Sequence, residues 1–290
     1  METRWSMASM RLSAFADEYA DGLTEQLEAL RTFGIDFLEL RHADGKNVSE
    51  LTYAEVTGVK EKLDGYGVRV SAIGSPLGKI KIDGDIDAHV ELTRRICETA
   101  ARLEAGYVRV FSFYPPSGEA IAPHRQAVVE ALGRMLDVAD ELGVKLCHEN
   151  EAKIYGESPE RCADLLSCFG GRLRAVFDMG NFVLDGYKPY PDAYEKLLPY
   201  IEYFHIKDAL YRGAIVPAGL GEAQIGEILS DFCRRSERDF FVTLEPHLET
   251  FSGLNALTDV AFENPYKYEN QKTACADAVA KLHLVIGGRA

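Results

Sequence analysis

Eight short β-rich runs recur along the chain, and this repetition constrains the fold more than any other feature of the sequence. The runs occupy residues 11–15, 36–40, 68–73, 107–111, 144–148, 174–177, 201–206 and 240–244, so that successive runs begin about 33 residues apart. Segments with a helical period separate them. Strand–helix alternation predicts a parallel sheet, and eight such units can close into a barrel.

The helical segments carry apolar or small residues at steps of three or four positions, which is the spacing of one face of an α-helix. Ser158, Pro159 and Glu160 predict the start of another helix, with Ser158 as the N-cap and Pro159 at the first helical position. The periodic positions are Leu23, Leu27, Leu30 and Phe33; Ile86, Val90, Thr93, Cys97 and Ala100; and Val128, Leu132, Met135, Ala139 and Leu142.

A doubly wound open sheet is the alternative to a barrel. Such a sheet would more naturally carry a glycine-rich phosphate loop after its first strand, whereas this turn reads AFADEYADG. No linker rich in Pro, Gly or Ser divides the repeats. We therefore predict a tail at residues 1–10 and one (β/α)8 barrel domain at residues 11–290, closed after the eighth strand by residues 262–290, which include a helical stretch through Ala276, Val279 and Leu282.

The charge and cysteine content narrow the class of protein. The chain has 46 acidic and 32 basic residues, a net charge of −14, and no run of Lys and Arg, so a nucleic-acid partner is not expected. The six cysteines form no CxxC pair, and the first ten residues lack the apolar stretch of a signal peptide. No segment approaches 18 apolar residues. These features predict a cytoplasmic protein with reduced thiols and no membrane partner.

Four consecutive strands of the predicted barrel end in, or carry near their ends, a side chain that can bind a metal ion. These side chains are Glu149, Asp178, His205 and Glu245. Each one alone would more often be a helix cap, a surface group or a hydrogen-bonded core residue. Neighbouring strands lie about 4.8 Å apart, so the four ends can meet at one point, where three carboxylates would repel one another without a cation. Three oxygen ligands and one imidazole favour one ion of the Mn²⁺ or Mg²⁺ kind, with Co²⁺ or Zn²⁺ as alternatives.

The motifs CHEN, FDMGN, HIKD and LEPH, which contain these four residues, resemble those of the sugar phosphate isomerase/epimerase family of the xylose isomerase-like TIM barrels. The segments GIDFLELR, VSAIGSPLGKI and VPAGLGE extend the resemblance over roughly residues 10–286. The resemblance implies a TIM barrel in which Glu149, Asp178, His205 and Glu245 bind one Mn²⁺-type ion. It also implies that Glu149 and Glu245 are catalytic and move protons.

The resemblance also directs attention to residues that would bind the substrate. Relatives often place a histidine three residues after the metal-binding Asp, and here that position holds Asn181, which can form hydrogen bonds but cannot titrate. Arg212 is the nearest candidate for an arginine that holds substrate in the epimerases. Lys207 and His247 lie beside the ligands in sequence, as Asn150 does, and each is a candidate partner of the site or an ordinary surface group.

The function that the resemblance implies is a metal-dependent isomerisation or epimerisation of a ketose or keto-polyol through an ene-diolate, with the two glutamates as acid and base. A dehydratase acting on a keto-inositol or related substrate would use the same metal and base. A sugar-binding or accessory subunit that has lost activity is the alternative outside enzymes. The expected partner is a small sugar or polyol, and relatives are often homodimers or homotetramers.

Overall fold

The structure, a computed structural model, describes residues 9–249 and 265–287. Its centre is a closed barrel of eight parallel strands in which each strand pairs with the next one along the chain and β8 pairs with β1. The strands are β1 (Met10–Ala14), β2 (Phe37–Leu40), β3 (Arg69–Ile73), β4 (Tyr107–Val110), β5 (Lys145–Glu149), β6 (Arg174–Asp178), β7 (Ile201–Ile206) and β8 (Phe240–Leu244).

Helices surround the barrel, which buries both faces of its strands, and every residue of β7 is buried for this reason. The helices are α1 (Leu23–Phe33), α2 (Tyr53–Tyr66), α3 (Ile86–Arg102), α4 (Arg125–Glu141), α5 (Pro159–Cys168), α6 (Met179–Leu184), α7 (Tyr194–Leu197), α8 (Ile225–Arg235) and α9 (Gln271–Gly287). Within residues 9–249 and 265–287, every helix is too short or too polar to cross a lipid bilayer.

The helix ends follow the local sequence. Thr52 caps α2 in a capping box with Glu55, and the Ser158 hydroxyl accepts a hydrogen bond from the backbone N–H of Arg161, with Pro159 at the first position of α5. Helix α1 ends at Gly34, whose positive φ of 69° is the left-handed conformation that glycine adopts without strain. The predicted start of α5 is thereby confirmed.

The strand register fixes which side chains meet at the carboxyl end of the barrel. Asp178, the last residue of β6, lies opposite His205 in β7, and His205 lies opposite Thr243 in β8. Glu245 follows β8 directly, and its backbone N–H donates to the carbonyl of Ile206. Glu149 ends β5 opposite Val176 of β6. The barrel therefore delivers residues from four consecutive strands to one end, as predicted.

The barrel prediction is confirmed, and each predicted strand agrees with an observed strand to within one residue at each end. The predicted C-terminal helical stretch is part of α9. Residues 1–8 of the predicted tail, and residues 262–264 and 288–290 of the predicted closing segment, lie outside the described residues, and the domain boundaries remain predictions. Two short antiparallel hairpins, at residues 42–47 and 208–216, were not anticipated from the sequence.

Candidate active site

Four predicted ligands converge at the carboxyl end of the barrel. Each of Glu149, Asp178, His205 and Glu245 offers one ligand atom, and these atoms all lie within 4.8 Å of one another. All four residues are at most 2% exposed. One oxygen of Glu149 and one of Glu245 are buried without a hydrogen bond. A buried carboxylate oxygen without a hydrogen bond, such as Oε2 of Glu245 at 3.3 Å from Nδ1 of His205, fits the first coordination sphere of a divalent cation.

Hydrogen bonds to both its backbone and its side chain hold Asp178 in place. The side chain of Asn150 accepts a hydrogen bond from the Asp178 N–H at 3.0 Å and donates one to the Asp178 carbonyl at 2.9 Å. Asp178 also caps α6, because its Oδ1 accepts from the backbone N–H of Asn181 at 2.8 Å. Its second oxygen, Oδ2, lies 3.1 Å from the ammonium of Lys207. The strand end and the helix start together aim this carboxylate into the barrel.

His205 lies between carboxylates on both of its ring nitrogens. Its Nδ1 is 3.1 Å from Oε1 of Glu149 and 3.3 Å from Oε2 of Glu245. Its Nε2 is 3.1 Å from Oε2 of Glu39, which extends from β2. Burial opposes a charged imidazole, but the carboxylates of Glu39 and Glu149 outweigh burial and raise the pKa of His205 well above its usual value.

Two buried arginines pair with the two glutamates. Arg41 Nη1 lies 2.8 Å from Oε1 of Glu245, and Arg109 Nη1 lies 3.2 Å from Oε2 of Glu149. Arg41 also makes hydrogen bonds of 2.8 and 3.0 Å to the two oxygens of Asp17. Both arginines are at most 2% exposed. Each glutamate therefore has one oxygen beside a guanidinium and the other beside Nδ1 of His205.

The electrostatic environment shifts the pKa values of the three acidic candidate ligands in different directions. Burial raises the pKa of Glu149, but the charges of His205 and Arg109 outweigh burial and lower it to about 2. Burial likewise opposes ionisation of Glu245, yet Lys207 and His247 are the leading groups that lower its pKa well below the usual value. Burial raises the pKa of Asp178 to about 7 despite the nearby Lys207. The two glutamates are thus carboxylates at neutral pH in this structure.

A second group of candidate ligands shares Glu245. It consists of Glu18, Glu245 and His247, with His247 Nε2 lying 3.4 Å from both carboxylates. Burial raises the pKa of Glu18 to about 8, so that this acid is mostly protonated at neutral pH. The guanidinium of Arg41 already lies 3.4 Å from Glu18 and 2.8 Å from Glu245. The Arg41 guanidinium therefore already places a positive charge beside both Glu18 and Glu245.

The predicted substrate-binding residues have different surroundings. Lys207 is buried against Asp178, and its ammonium donates to Asn181 Oδ1 at 3.0 Å. The amide nitrogen of Asn181 donates to the Asn150 carbonyl at 2.9 Å. His247 lies beside Glu245. These residues border the ligands, whereas Arg212 is exposed in the turn of the hairpin at residues 208–216. The substrate-binding role of all four remains a prediction.

Sequence reasoning missed five charged residues of this site, namely Asp17, Glu18, Glu39, Arg41 and Arg109. A signal was present in two of the strands, because FLEL and YVRV each place a charged residue inside an apolar run. Such a residue is rarely fully buried unless it is paired. Glu39 contacts His205, which lies 166 residues away in the chain, and Arg41 contacts Glu245, which lies 204 residues away, so the sequence did not reveal these pairs.

Comparison with known proteins identifies the family and the fold. Residues 27–255 match the model of the family described as xylose isomerase-like TIM barrel. No curated protein sequence matches this chain. A D-allulose 3-epimerase from Methylomonas sp. is similar in structure, with a TM-score of 0.74 at 13% identity over 96% of this chain and 98% of the epimerase.

Two further solved structures have a TM-score of 0.69. One is a probable 3-DHS dehydratase from Bacillus anthracis, at 17% identity over 95% of this chain and 98% of the other. The second is a xylose isomerase-like TIM barrel protein from Mycobacterium smegmatis in complex with magnesium, at 14% identity over 99% of this chain and 98% of the other. Identities this low indicate a shared fold, while the family match covers most of the chain. The chain belongs to the xylose isomerase-like TIM barrel family.

Proposed function

We propose that this protein is a divalent-metal-dependent sugar isomerase or epimerase that acts on a ketose or a related keto-polyol. The observation that carries the proposal is the convergence of Glu149, Asp178, His205 and Glu245, whose ligand atoms lie within 4.8 Å of one another in a buried cluster. The epimerase and the magnesium complex among the similar structures support the same reading.

The ligand set favours Mn²⁺ or Mg²⁺. Three carboxylates and one imidazole form an oxygen-rich set, whereas structural zinc sites are built mainly from Cys and His. His205 would bind the ion through Nδ1, because Nδ1 faces Glu149 and Glu245 while Nε2 faces Glu39. Four protein ligands leave positions open in a six-coordinate ion, and Co²⁺ or Zn²⁺ are the alternatives to test.

Glu149 and Glu245 are the acid–base residues in this proposal. A carboxylate whose pKa is about 2, as for Glu149, is ionised and ready to accept a proton, but it is a weak base. It therefore requires a substrate whose C–H bond has been made more acidic. A divalent ion held by Glu149, Asp178, His205 and Glu245 would supply this acidity by stabilising negative charge as it develops on the substrate oxygens. One glutamate removes the proton, and the other returns it.

The position to which the proton returns sets the reaction. Return to the opposite face of the same carbon inverts that carbon and gives epimerisation, whereas return to the neighbouring carbon moves the carbonyl and gives isomerisation. The arginines Arg41 and Arg109 hold one oxygen of each glutamate, at 2.8 and 3.2 Å. Each glutamate is thereby fixed in orientation, and its second oxygen is directed toward the ligand centre.

The charges of the site favour an uncharged substrate over a phosphorylated one. The three buried cations of the cluster, Arg41, Arg109 and Lys207, each lie within 3.2 Å of a carboxylate oxygen. Cations already paired in this way offer little net attraction to a phosphate, whose desolvation would have to be compensated. We therefore place a keto-sugar or keto-polyol without phosphate first among the candidate substrates.

The proposal is tested with a panel of ketoses, keto-polyols and their phosphates. Each compound is incubated with Mn²⁺-loaded protein in D₂O, and the reaction is followed by NMR and mass spectrometry. Deuterium at one carbon of a product isomeric with its substrate is the expected result. A product lighter by one water would instead identify a dehydratase. Absence of exchange in every substrate, by protein shown to hold the ion, would refute the proposal.

Variants of the two glutamates test their roles. Glu149→Gln and Glu245→Gln should each lower the rate of deuterium incorporation by about 10²- to 10⁴-fold, which is the usual contribution of general acid–base catalysis. Glu202→Gln is the matched control. Glu202 is also buried, but it lies away from the ligand cluster and pairs with Arg174 at a distance of 2.9 Å. Metal content is measured for each variant. Turnover within a few-fold of wild type, with metal bound, would exclude the proposed role.

A further inference from the structure

We propose that Glu39 and Tyr203 are positioning residues that fix the orientation and tautomer of His205 and thereby strengthen metal binding. The inference rests on the proposed function, since it concerns the ion that His205 would bind. Glu39 reaches His205 across the interior of the barrel, because β2 and β7 are not neighbours in the sheet. The contact is therefore made by side chains alone.

The contacts form a chain of three buried groups. Tyr203 donates its hydroxyl hydrogen to Oε1 of Glu39 at 3.0 Å, and Oε2 of Glu39 lies 3.1 Å from Nε2 of His205. Tyr203 and His205 are two residues apart on β7, so their side chains leave the strand on the same side. All three residues are at most 1% exposed. Both oxygens of the Glu39 carboxylate are thus engaged.

The chemistry of imidazole explains why the contacts from Tyr203 through Glu39 to His205 matter for metal binding. In neutral histidine one ring nitrogen carries the hydrogen and the other is free to bind a metal, and the partner of the first decides which is which. Glu39 can only accept, so it retains the hydrogen on Nε2 and leaves Nδ1 as the ligand atom. Nδ1 is the nitrogen that lies 3.1 Å from Glu149 and 3.3 Å from Glu245.

The imidazole ring is also held by packing. The rings of Phe15 and His205 pack edge to face, with a centroid distance of 5.1 Å and an interplanar angle of 81°. A ring flipped about the Cβ–Cγ bond would place carbon atoms where the two nitrogens lie and would lose the bond to Glu39. Because a metal ligand must be preorganised to bind tightly, a ring held from two sides lowers the entropy lost when the ion binds.

The competing explanation is that Glu39 only balances charge in the barrel interior. A buried carboxylate is costly to desolvate, and apolar residues of similar volume are often as stable as a buried ion pair. Under that explanation, removal of the Glu39 charge would change stability and leave metal affinity unaffected. Under the positioning explanation, affinity for the ion falls. The two effects can be measured separately.

The experiment is a calorimetric titration of metal-free full-length protein with Mn²⁺, combined with thermal denaturation of the same samples without metal. Glu39→Gln keeps the size of the side chain and removes its charge, and Tyr203→Phe removes only the hydroxyl. Glu202→Gln is the control for loss of a buried barrel carboxylate that is paired with Arg174. Loss of an outer partner of a metal-binding histidine usually costs about 10- to 100-fold in affinity.

We expect a 10- to 100-fold larger Kd for Glu39→Gln, a smaller increase for Tyr203→Phe and an unchanged Kd for Glu202→Gln. A wild-type Kd retained within twofold by Glu39→Gln would overturn the inference while leaving the proposed function intact. Failure of the wild type itself to bind Mn²⁺ would instead count against the proposed function. If Glu39→Gln does not fold, Tyr203→Phe decides: a several-fold increase in its Kd supports the inference, and an unchanged Kd overturns it.

Discussion

Replacement of Arg41 by methionine is expected to destabilise the protein more than loss of any exposed ion pair. Arg41 is fully buried, and its guanidinium lies within 3.0 Å of carboxylate oxygens of Asp17 and Glu245 and 3.4 Å from Glu18. Methionine keeps much of the side-chain volume and the contact with Phe15, over which the guanidinium lies at 4.3 Å. The change therefore isolates the loss of charge and hydrogen bonds.

The magnitude follows from the burial of the partners. Removing one member of a buried ion pair typically costs about 3–5 kcal/mol, because the remaining charge is left uncompensated. With an unfolding entropy of about 2.1 cal/mol/K per residue, this corresponds to a decrease in Tm of about 5–8 °C for 290 residues. Glu18 adds little, because its pKa of about 8 leaves it mostly protonated at pH 7.

Thermal and urea denaturation at pH 7 with a chelator present measure the effect, since a bound metal ion would mask part of it. Arg11→Met is the control, because Arg11 also pairs with an aspartate, Asp239 at 2.6 Å, but the two side chains are 45% and 42% exposed. That pair should contribute less than about 1 kcal/mol. Equal losses for the two variants would refute the reasoning that burial gives the Arg41 interactions their large effect.

The pH dependence of stability provides a second test of the interactions of Arg41. Burial opposes ionisation of Asp17, but Arg41 outweighs burial and lowers the pKa of Asp17 below its usual value of 3.8. A depressed pKa stabilises the folded protein above the unfolded pKa, and this contribution is lost as the pH falls through the folded pKa. The stability difference between wild type and Arg41→Met should therefore narrow below pH 4.

Three further changes test other parts of the structure. Gly221→Ala would place a Cβ 2.1 Å from Oδ1 of the buried Asp208, and it should lower Tm by several degrees in a thermal melt, whereas Gly106→Ala, with open space around it, should not. Burial raises the pKa of Asp185 to about 7, so the wild type loses stability as the pH rises from 4 to 7. Asp185→Asn should therefore raise the free energy of unfolding by about 2–4 kcal/mol at pH 8 and leave it unchanged at pH 3.5. A stability gain independent of pH would contradict this. Ser158→Ala removes the N-cap of α5 and should cost about 1 kcal/mol in urea denaturation, and no change would show that the cap is dispensable.

The sequence predicted the barrel because the eight repeats carry their own signal. Each strand is a short apolar run, and each run is followed by a segment of helical period, so both period and order were visible. The four candidate ligands were visible for a related reason. They stand at or near the ends of consecutive strands, as Glu149 and Asp178 do, and a parallel barrel collects those ends at one place.

The charged partners of the ligands were not visible, because their position depends on contacts across the barrel. Both faces of the strands are buried, so an apolar run such as FLEL does not reveal whether Glu39 points inward or toward the helices. Arg41 and Glu245 are 204 residues apart in the chain and 2.8 Å apart in space. Only the closure of β8 on β1, next to β2, brings them together.

These partners explain how one site can hold two ionised glutamates, which the proposed function requires as both metal ligands and bases. Glu245 has Oε1 beside Arg41 and Oε2 beside His205, and Glu149 has Oε2 beside Arg109 and Oε1 beside His205. An unpaired carboxylate in so buried a place would take up a proton and lose its value as a ligand. A guanidinium on one oxygen fixes the orientation of each glutamate, while the other oxygen remains available at the centre. The pKa of Glu149 is lowered by His205 and Arg109, and that of Glu245 chiefly by Lys207 and His247, so both stay ionised. Arg41 directly follows β2, Arg109 lies in β4, Glu149 ends β5 and Glu245 directly follows β8. The site therefore requires the closed barrel and not only the four strands that carry the candidate ligands.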